Sequence, residues 1–141
     1  MTIDWPVRAR QATFDGRAVI DGKRCDAVSG ETFIKSSPID GRALGPIARC
    51  READVDGAVK SARAAFTDGR WAGKPPAVRK KLLQAFAAKI LGAKEELALL
   101  ETLDMGKPIQ YSLAVDVPSA ARTIAWYAEA IDKVYDEIAP T

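Results

Sequence analysis

The sequence predicts a partial α/β fold: a small N-terminal region of β-hairpins followed by three or four amphipathic helices. Three observations carry this. Short β-prone runs before residue 50 are separated by Asp-Gly and Ser-Gly pairs, the residues that tight hairpin turns need. From Arg51 onward the apolar residues recur at three- and four-residue spacing, the period of a helix face. No run of parallel core strands is present to serve as the sheet that Ala-rich helices pack against, so the fold reads as incomplete.

Residues 1–15 show no sustained periodicity and read as an arm, ordered only if something holds it; residues 16–141 read as one folded portion. Ala18-Val19-Ile20, Asp21-Gly22 and Lys23 to Val28 form a first hairpin pattern. After Ser29-Gly30, a strand over Glu31 to Lys35 leads through Ser36-Ser37-Pro38 and the turn Ile39-Asp40-Gly41-Arg42 to a short strand, Leu44 to Ala48. Such hairpins are marginal by themselves and need a partner surface.

In the first helix, Val55, Ala58, Val59, Ala62, Ala65 and Phe66 fall on one stripe. Glu52, Asp54 and Asp56 place negative charge in its first turns, as the macrodipole favours, and Thr67-Asp68-Gly69 stops it. Trp71 follows in a loop closed by Gly73-Lys74-Pro75-Pro76. The second helix puts Val78, Leu82, Leu83, Phe86, Ile90 and Leu91 on one side, Gly92 weakens or bends it, and helix resumes from Glu95 to Leu103. The third stretch runs from Ile109 to Glu137, with Pro118 kinking or restarting it. Its apolar face is Val117, Ala120, Ala121, Ile124, Ala128, Ile131 and Tyr135.

Composition removes several function classes. With 21 basic and 19 acidic residues scattered along the chain, there is no electrostatic footprint for nucleic acid or anionic lipid. No apolar run approaches the ~20 residues of a membrane span. The N-terminal residues lack the basic flank and apolar core of a secretory signal, so the expected setting is soluble and cytoplasmic. The chain contains no histidine, which excludes Ser-His-Asp and Cys-His nucleophile activation within it and leaves a zinc site without ligands. Cys25 and Cys50 stand apart; Lys23 and Arg24 beside Cys25 favour a thiolate, but no base or oxyanion hole accompanies it. Neither cysteine reads as catalytic.

Gly106-Lys107-Pro108 is a helix terminator rather than a phosphate loop. A phosphate loop needs Ser or Thr after the lysine, and the proline here removes a donor amide. No G-x-G-x-x-G occurs. Trp126-Tyr127, with Tyr135 and Phe66, read first as core aromatics, with a ligand groove as the alternative.

Leu100-Glu101-Thr102-Leu103-Asp104-Met105-Gly106-Lys107-Pro108 resembles the LETLD-x-GKP segment of NAD(P)-dependent aldehyde dehydrogenases. The resemblance runs from about Gly16 to Thr141 through ordered anchors: Asp21-Gly22-Lys23, Ser29-Gly30-Glu31-Thr32-Phe33, Pro38-Ile39-Asp40-Gly41, Ala62-Arg63-Ala64-Ala65-Phe66, Trp71, and Trp126-Tyr127-Ala128. The last segment, through Tyr135, is most similar to the branch that oxidises γ-glutamyl-γ-aminobutyraldehyde in putrescine breakdown.

By this resemblance the chain is the N-terminal part of a Rossmann-like coenzyme-binding domain. The family reaction joins thiolate attack on an aldehyde, hydride transfer to NAD or NADP, and thioester hydrolysis. The family's catalytic cysteine, general-base glutamate and coenzyme contacts lie downstream of the matched residues. No catalytic or cofactor-binding residue is therefore assigned, and this chain alone is expected to bind no coenzyme and to be inactive. The expected partner is the remainder of a dehydrogenase subunit or a homo-oligomer. The resemblance also implies a monovalent cation (Na or K) held near Lys35, Ser36 and Asp104, with Lys35 acting through its carbonyl. It further implies a substrate-tunnel mouth bordered by Asp116, Ser119 and Arg122, where Arg122 favours a carboxylate-bearing substrate.

Three positions depart from the family pattern: Arg51 stands where a helix cap is common, Val78 where an acid precedes Arg79, and Asp136 where glycine is usual. A decaying gene would look like this, and so would ordinary drift. The alternatives to an enzyme portion are a stand-alone helical interaction module, which exposes apolar faces to bind another chain, and a non-functional truncated gene product.

Overall fold

The computed structural model describes residues 3–133. The described residues of Met1–Arg70 and Leu103–Gly106 make one compact unit, and those of Trp71–Thr102 and Lys107–Thr141 make a second.

In the first unit the arm contains a short helix, α1 (Trp5–Gln11), which the absence of periodicity did not suggest. Asp4 caps it, its side chain accepting from the Val7 amide at 3.0 Å, and Pro6 fits the first turn, where no amide donor is required. Two turns are too short for an apolar stripe to register. The holding contacts are specific. Arg42 Nη2 donates to the Ala9 carbonyl at 2.7 Å, and beyond the helix the Ala48 amide donates to the Gly16 carbonyl at 2.9 Å. Gly16 thereby pairs in parallel with Ile47, so closely that a Cβ there would lie 2.2 Å from the Pro46 oxygen and 2.8 Å from Ile47 Cα.

Asp21 and Gly22, both at positive φ (52° and 71°), turn β1 (Ala18–Ile20) into antiparallel β2 (Lys23–Cys25). A second antiparallel pair, β3 (Thr32–Ser36) and β4 (Ala43–Ala48), places Phe33 opposite Ile47 and carries a bulge between Lys35 and Ser36. Buried Ser37 closes the connecting loop. Its amide donates to the Arg42 carbonyl at 2.9 Å, and its own carbonyl accepts from Gly41.

The helix α2 (Glu52–Thr67) begins as expected but is capped differently. Arg51 offers no side-chain acceptor to the first-turn amides, and the Asp54 amide bonds the Arg51 carbonyl instead. The Asp54 carboxylate, only 6% exposed, closes the helix start differently, accepting from the Arg51 and Val28 amides, each at 2.8 Å. These two backbone donors hold the Asp54 carboxyl below its ordinary pKa. The apolar stripe divides by size. Ala58 and Ala65 turn inward, while Val55, Val59 and Phe66 are 55, 58 and 71% exposed, with no facing surface among the described residues. The end of the later helix α4 (Lys94–Met105) joins this unit, with Leu103 buried. Gly106 at φ 80° terminates that helix, its Cα so near Pro38 that an added Cβ would stand 3.1 Å from the proline ring.

In the second unit α3 (Pro76–Gly92) starts on prolines and ends at Gly92, and α4 restarts within two residues, so the glycine breaks the helix rather than bending it. The expected third helix is resolved into α5 (Ile109–Tyr111), a π-helical turn over Ser112–Asp116, and α6 (Val117–Ala130). Pro118 explains the π turn. Its ring crowds the carbonyl four residues back and it donates no amide, so the ladder widens and the Val117 amide donates to the Ser112 carbonyl. Tyr135 and the expected continuation to Glu137 lie outside the described residues.

The α3–α6 pair is the main packing of this unit. Leu83, Ala87 and Ile90 face inward on α3; Val117, Ala121, Ile124 and Ala128 do so on α6. The helices run antiparallel, because Lys80 near the start of α3 donates to Glu129 (2.7 Å) and Asp132 (3.2 Å) at the end of α6, and Gln84 Nε2 donates to Glu129 at 2.6 Å. Leu82 and Phe86, expected on the same face as Leu83, remain about half exposed.

Two predictions follow from these contacts. Gly16→Ala forces the arm off β4. We expect a stability loss of about 1–3 kcal/mol by denaturant unfolding and faster protease cleavage between residues 12 and 17; an unchanged cleavage rate contradicts it. Lys80, followed by Lys133, lowers the Glu129 carboxyl, and Lys133, followed by Lys80, lowers that of Asp132, while Lys80 itself is raised, first by Glu129. Depressed carboxylates stabilise the fold above their ordinary values, and that contribution fades as pH falls through the depressed ones. The lysine contribution is lost only above the ordinary lysine range. Urea midpoints should therefore be flat through neutrality and fall in acid, with a shallower acid limb in Lys80→Met; an identical limb refutes the assignment.

Candidate functional site

Two groups of sequence-derived residues were brought to particular places. The first is in the N-terminal unit. Lys35 and Asp104 meet directly, the ammonium donating to Asp104 Oδ1 at 2.9 Å. Ser36 follows Lys35 across the β-bulge and is exposed. Among the described residues there is no group of three acidic, cysteine or histidine side chains able to hold a metal ion. With an ammonium already on the carboxylate, the trio is a poor fit for a further cation.

The second lies at the start of α6. Arg122 Nη2 donates to Ser119 Oγ at 2.8 Å, one helical turn back, which tethers the guanidinium over the helix surface. Ser119, Arg122, Thr123 and Trp126 line an open depression of about 450 Å³. Trp126 is 65% exposed and meets Tyr127 edge to face, ring centroids 5.0 Å apart. Of the aromatic cluster read from the sequence, these two come together, Phe66 belongs to the other unit, and Tyr135 is outside the described residues. The surface offers a cation, two hydroxyls and a flat apolar wall, which suits an anionic group attached to an apolar body.

Asp116 does not join this surface. It is ion-paired with Lys107, and the pair raises the lysine pKa. In the sequence Lys107 stands only as part of a helix terminator. Its partner is nine residues on, beyond α5 and inside the π turn, a distance that no local spacing rule reports. Beneath the turn Ser112 is fully buried, and Thr102 Oγ lies 3.4 Å from its hydroxyl.

Neither cysteine gains a catalytic setting. The Cys25 thiol donates to the Lys23 carbonyl at 3.5 Å within its own hairpin, and Cys50 is exposed just before α2. Among the described residues there is no thiol–base pair.

The sequence profile of the aldehyde dehydrogenase family matches residues 25–141. The chain belongs to this family. It is 46% identical over 137 residues to the NADP/NAD-dependent aldehyde dehydrogenase PuuC of Escherichia coli strain K12, an alignment covering 97% of the chain and 28% of PuuC. Its fold superposes on γ-glutamyl-γ-aminobutyraldehyde dehydrogenase from Burkholderia cenocepacia J2315 with a TM-score of 0.95 at 52% identity, over 98% of this chain and 28% of that one. It superposes equally well, at 53% identity and with the same coverage, on an indole-3-acetaldehyde dehydrogenase in complex with NAD+. The chain therefore spans little more than a quarter of the length of these relatives, and its hairpins and helices are part of a dehydrogenase domain fold.

Proposed function

We propose that residues 16–141, preceded by the arm of residues 1–15, are the N-terminal part of the coenzyme-binding domain of an NAD(P)-dependent aldehyde dehydrogenase, inactive as the 141-residue chain. The observation that carries this is the superposition over 98% of the chain at 52% identity onto little more than a quarter of a dehydrogenase subunit. The remainder of such a subunit, or a homo-oligomer of the whole, is the natural partner for the exposed faces of α2 and α3, and a soluble cytoplasmic setting is consistent with the absence of a membrane-length apolar helix among the described residues. The chain's own contribution is scaffold and, at the start of α6, a binding surface; the coenzyme, NAD or NADP, supplies hydride acceptance in the whole enzyme.

For the substrate we favour an aldehyde carrying a carboxylate, of which γ-glutamyl-γ-aminobutyraldehyde in putrescine catabolism is the example that the similarity to the Burkholderia cenocepacia enzyme suggests. Arg122, held by Ser119, supports this reading because a guanidinium binds a carboxylate far better than a neutral group. The indole-type relatives are as similar, and Trp126 would serve a flat substrate. The charged end of the substrate is the distinguishing feature.

Two measurements test these readings. The purified 141-residue chain should form no NADH or NADPH with any aldehyde, followed by absorbance; turnover would refute its inactivity. In the complete dehydrogenase, Arg122→Ala should raise KM about tenfold or more for a carboxylate-bearing aldehyde, the worth of one charge-assisted hydrogen bond. KM for a neutral aldehyde should stay unchanged, and equal shifts for both would remove Arg122 from recognition.

A further inference from the structure

The C-terminal end of α4, in the N-terminal unit, is a negative helix end. Helix carbonyls without partners accumulate there, Asp104 adds a full charge in the last turn, and the last turn contains no basic residue of its own. A cation has to come from outside the helix. It comes from β3: Lys35 reaches across with its ammonium 2.9 Å from Asp104 Oδ1 and its side chain two-thirds covered, at 33% exposure. The approach is set by packing rather than by charge. Leu103 is buried one residue before Asp104, and Gly106 sits against Pro38 with no room for a larger residue to settle freely. Strand and helix end are thus fixed at a distance that one lysine spans.

We propose that the Lys35 ammonium is the cation of this junction, so that Lys35, Ser36 and Asp104 bind neither Na+ nor K+. A tethered ammonium is present at an effective concentration that a dissolved ion cannot match, and it brings its charge without an exchange step. A free ion would have to displace it and shed water to gain a carboxylate that is itself 65% exposed. Removing the ammonium leaves that carboxylate and the helix end uncompensated, which is the condition under which a dissolved monovalent ion gains a place.

The test compares thermal unfolding of the 141-residue chain, by circular dichroism, in NaCl, KCl and choline chloride at equal ionic strength. The wild-type midpoint should be the same in all three. Lys35→Gln should unfold about 2–4 °C lower in choline chloride and regain that loss in NaCl or KCl. A wild-type midpoint higher in NaCl or KCl than in choline overturns the proposal, and so does a Lys35→Gln chain that no salt distinguishes. Sodium NMR line width gives the same comparison without a melting transition. Broadening that K+ competes away is expected with Lys35→Gln and absent with the wild type; its presence in the wild type, or its absence in both, overturns the proposal.

Discussion

The contact between α3 and α6 rests on alanines. Ala87 on one helix and Ala121 and Ala128 on the other are buried, and with Val117 they let the two axes approach closely. Close approach gives dispersion contacts along the whole seam but removes little apolar area from water, since an alanine side chain is one methyl group. The same holds elsewhere: Ala27 and Ala98 are buried, whereas Val59, Phe66, Phe86 and Trp126 are exposed. A chain that places its small residues inside and its large ones outside derives modest stability from its own core.

Polar closures carry more of the specificity under that constraint. Asp54 joins the start of α2 to the loop after β2, Lys80 joins the ends of α3 and α6, and Lys107 joins the loop after α4 to the π turn. The two lysine pairs are only partly covered, Lys80 at 23% and Lys107 at 34% exposure, and solvent still screens them, so these contacts select a geometry more than they drive folding. Asp54 differs because it is buried, and its two backbone donors would be left unpaired without it. On the proposed reading, the exposed bulky faces are what the rest of a dehydrogenase subunit covers.

Much of this was legible in the sequence because it depends on local rules. Asp21-Gly22 dictated a hairpin turn, and Gly69 and Gly106 marked helix ends. What was not legible depends on neighbours distant in the chain. The α2 stripe reads as one face, but only tertiary packing separates Ala58 and Ala65 from Val55 and Phe66. The helix α1 is too short for periodicity to register, though Asp4 followed by Pro6 was a cap signal that could have been used. The pairs Lys35–Asp104 and Lys107–Asp116 cross loops and elements, so spacing is silent about them. At the start of α6, Arg122 bonds Ser119, whereas Asp116, at the N-cap of the same helix, pairs with Lys107.

The capping of α2 also bears on whether the departures from the family pattern mark a chain under weakened constraint. Arg51 removes an N-cap acceptor, a loss ordinarily worth about 1 kcal/mol. Here Asp54 accepts the Arg51 amide from inside the first turn and the Val28 amide from the preceding loop, which ties the helix start to the hairpin without replacing the lost cap. Arg51 is not idle either, since its guanidinium pairs with Glu31 at 2.9 Å. The position has thus lost one contact and gained another on the surface, which by itself is no mark of decay. Of the two remaining departures, Asp136 lies outside the described residues, and Val78 leaves the first turn of α3 without an acid. That absence withholds a surface charge effect of a few tenths of a kcal/mol, too little to separate a decaying gene from ordinary drift.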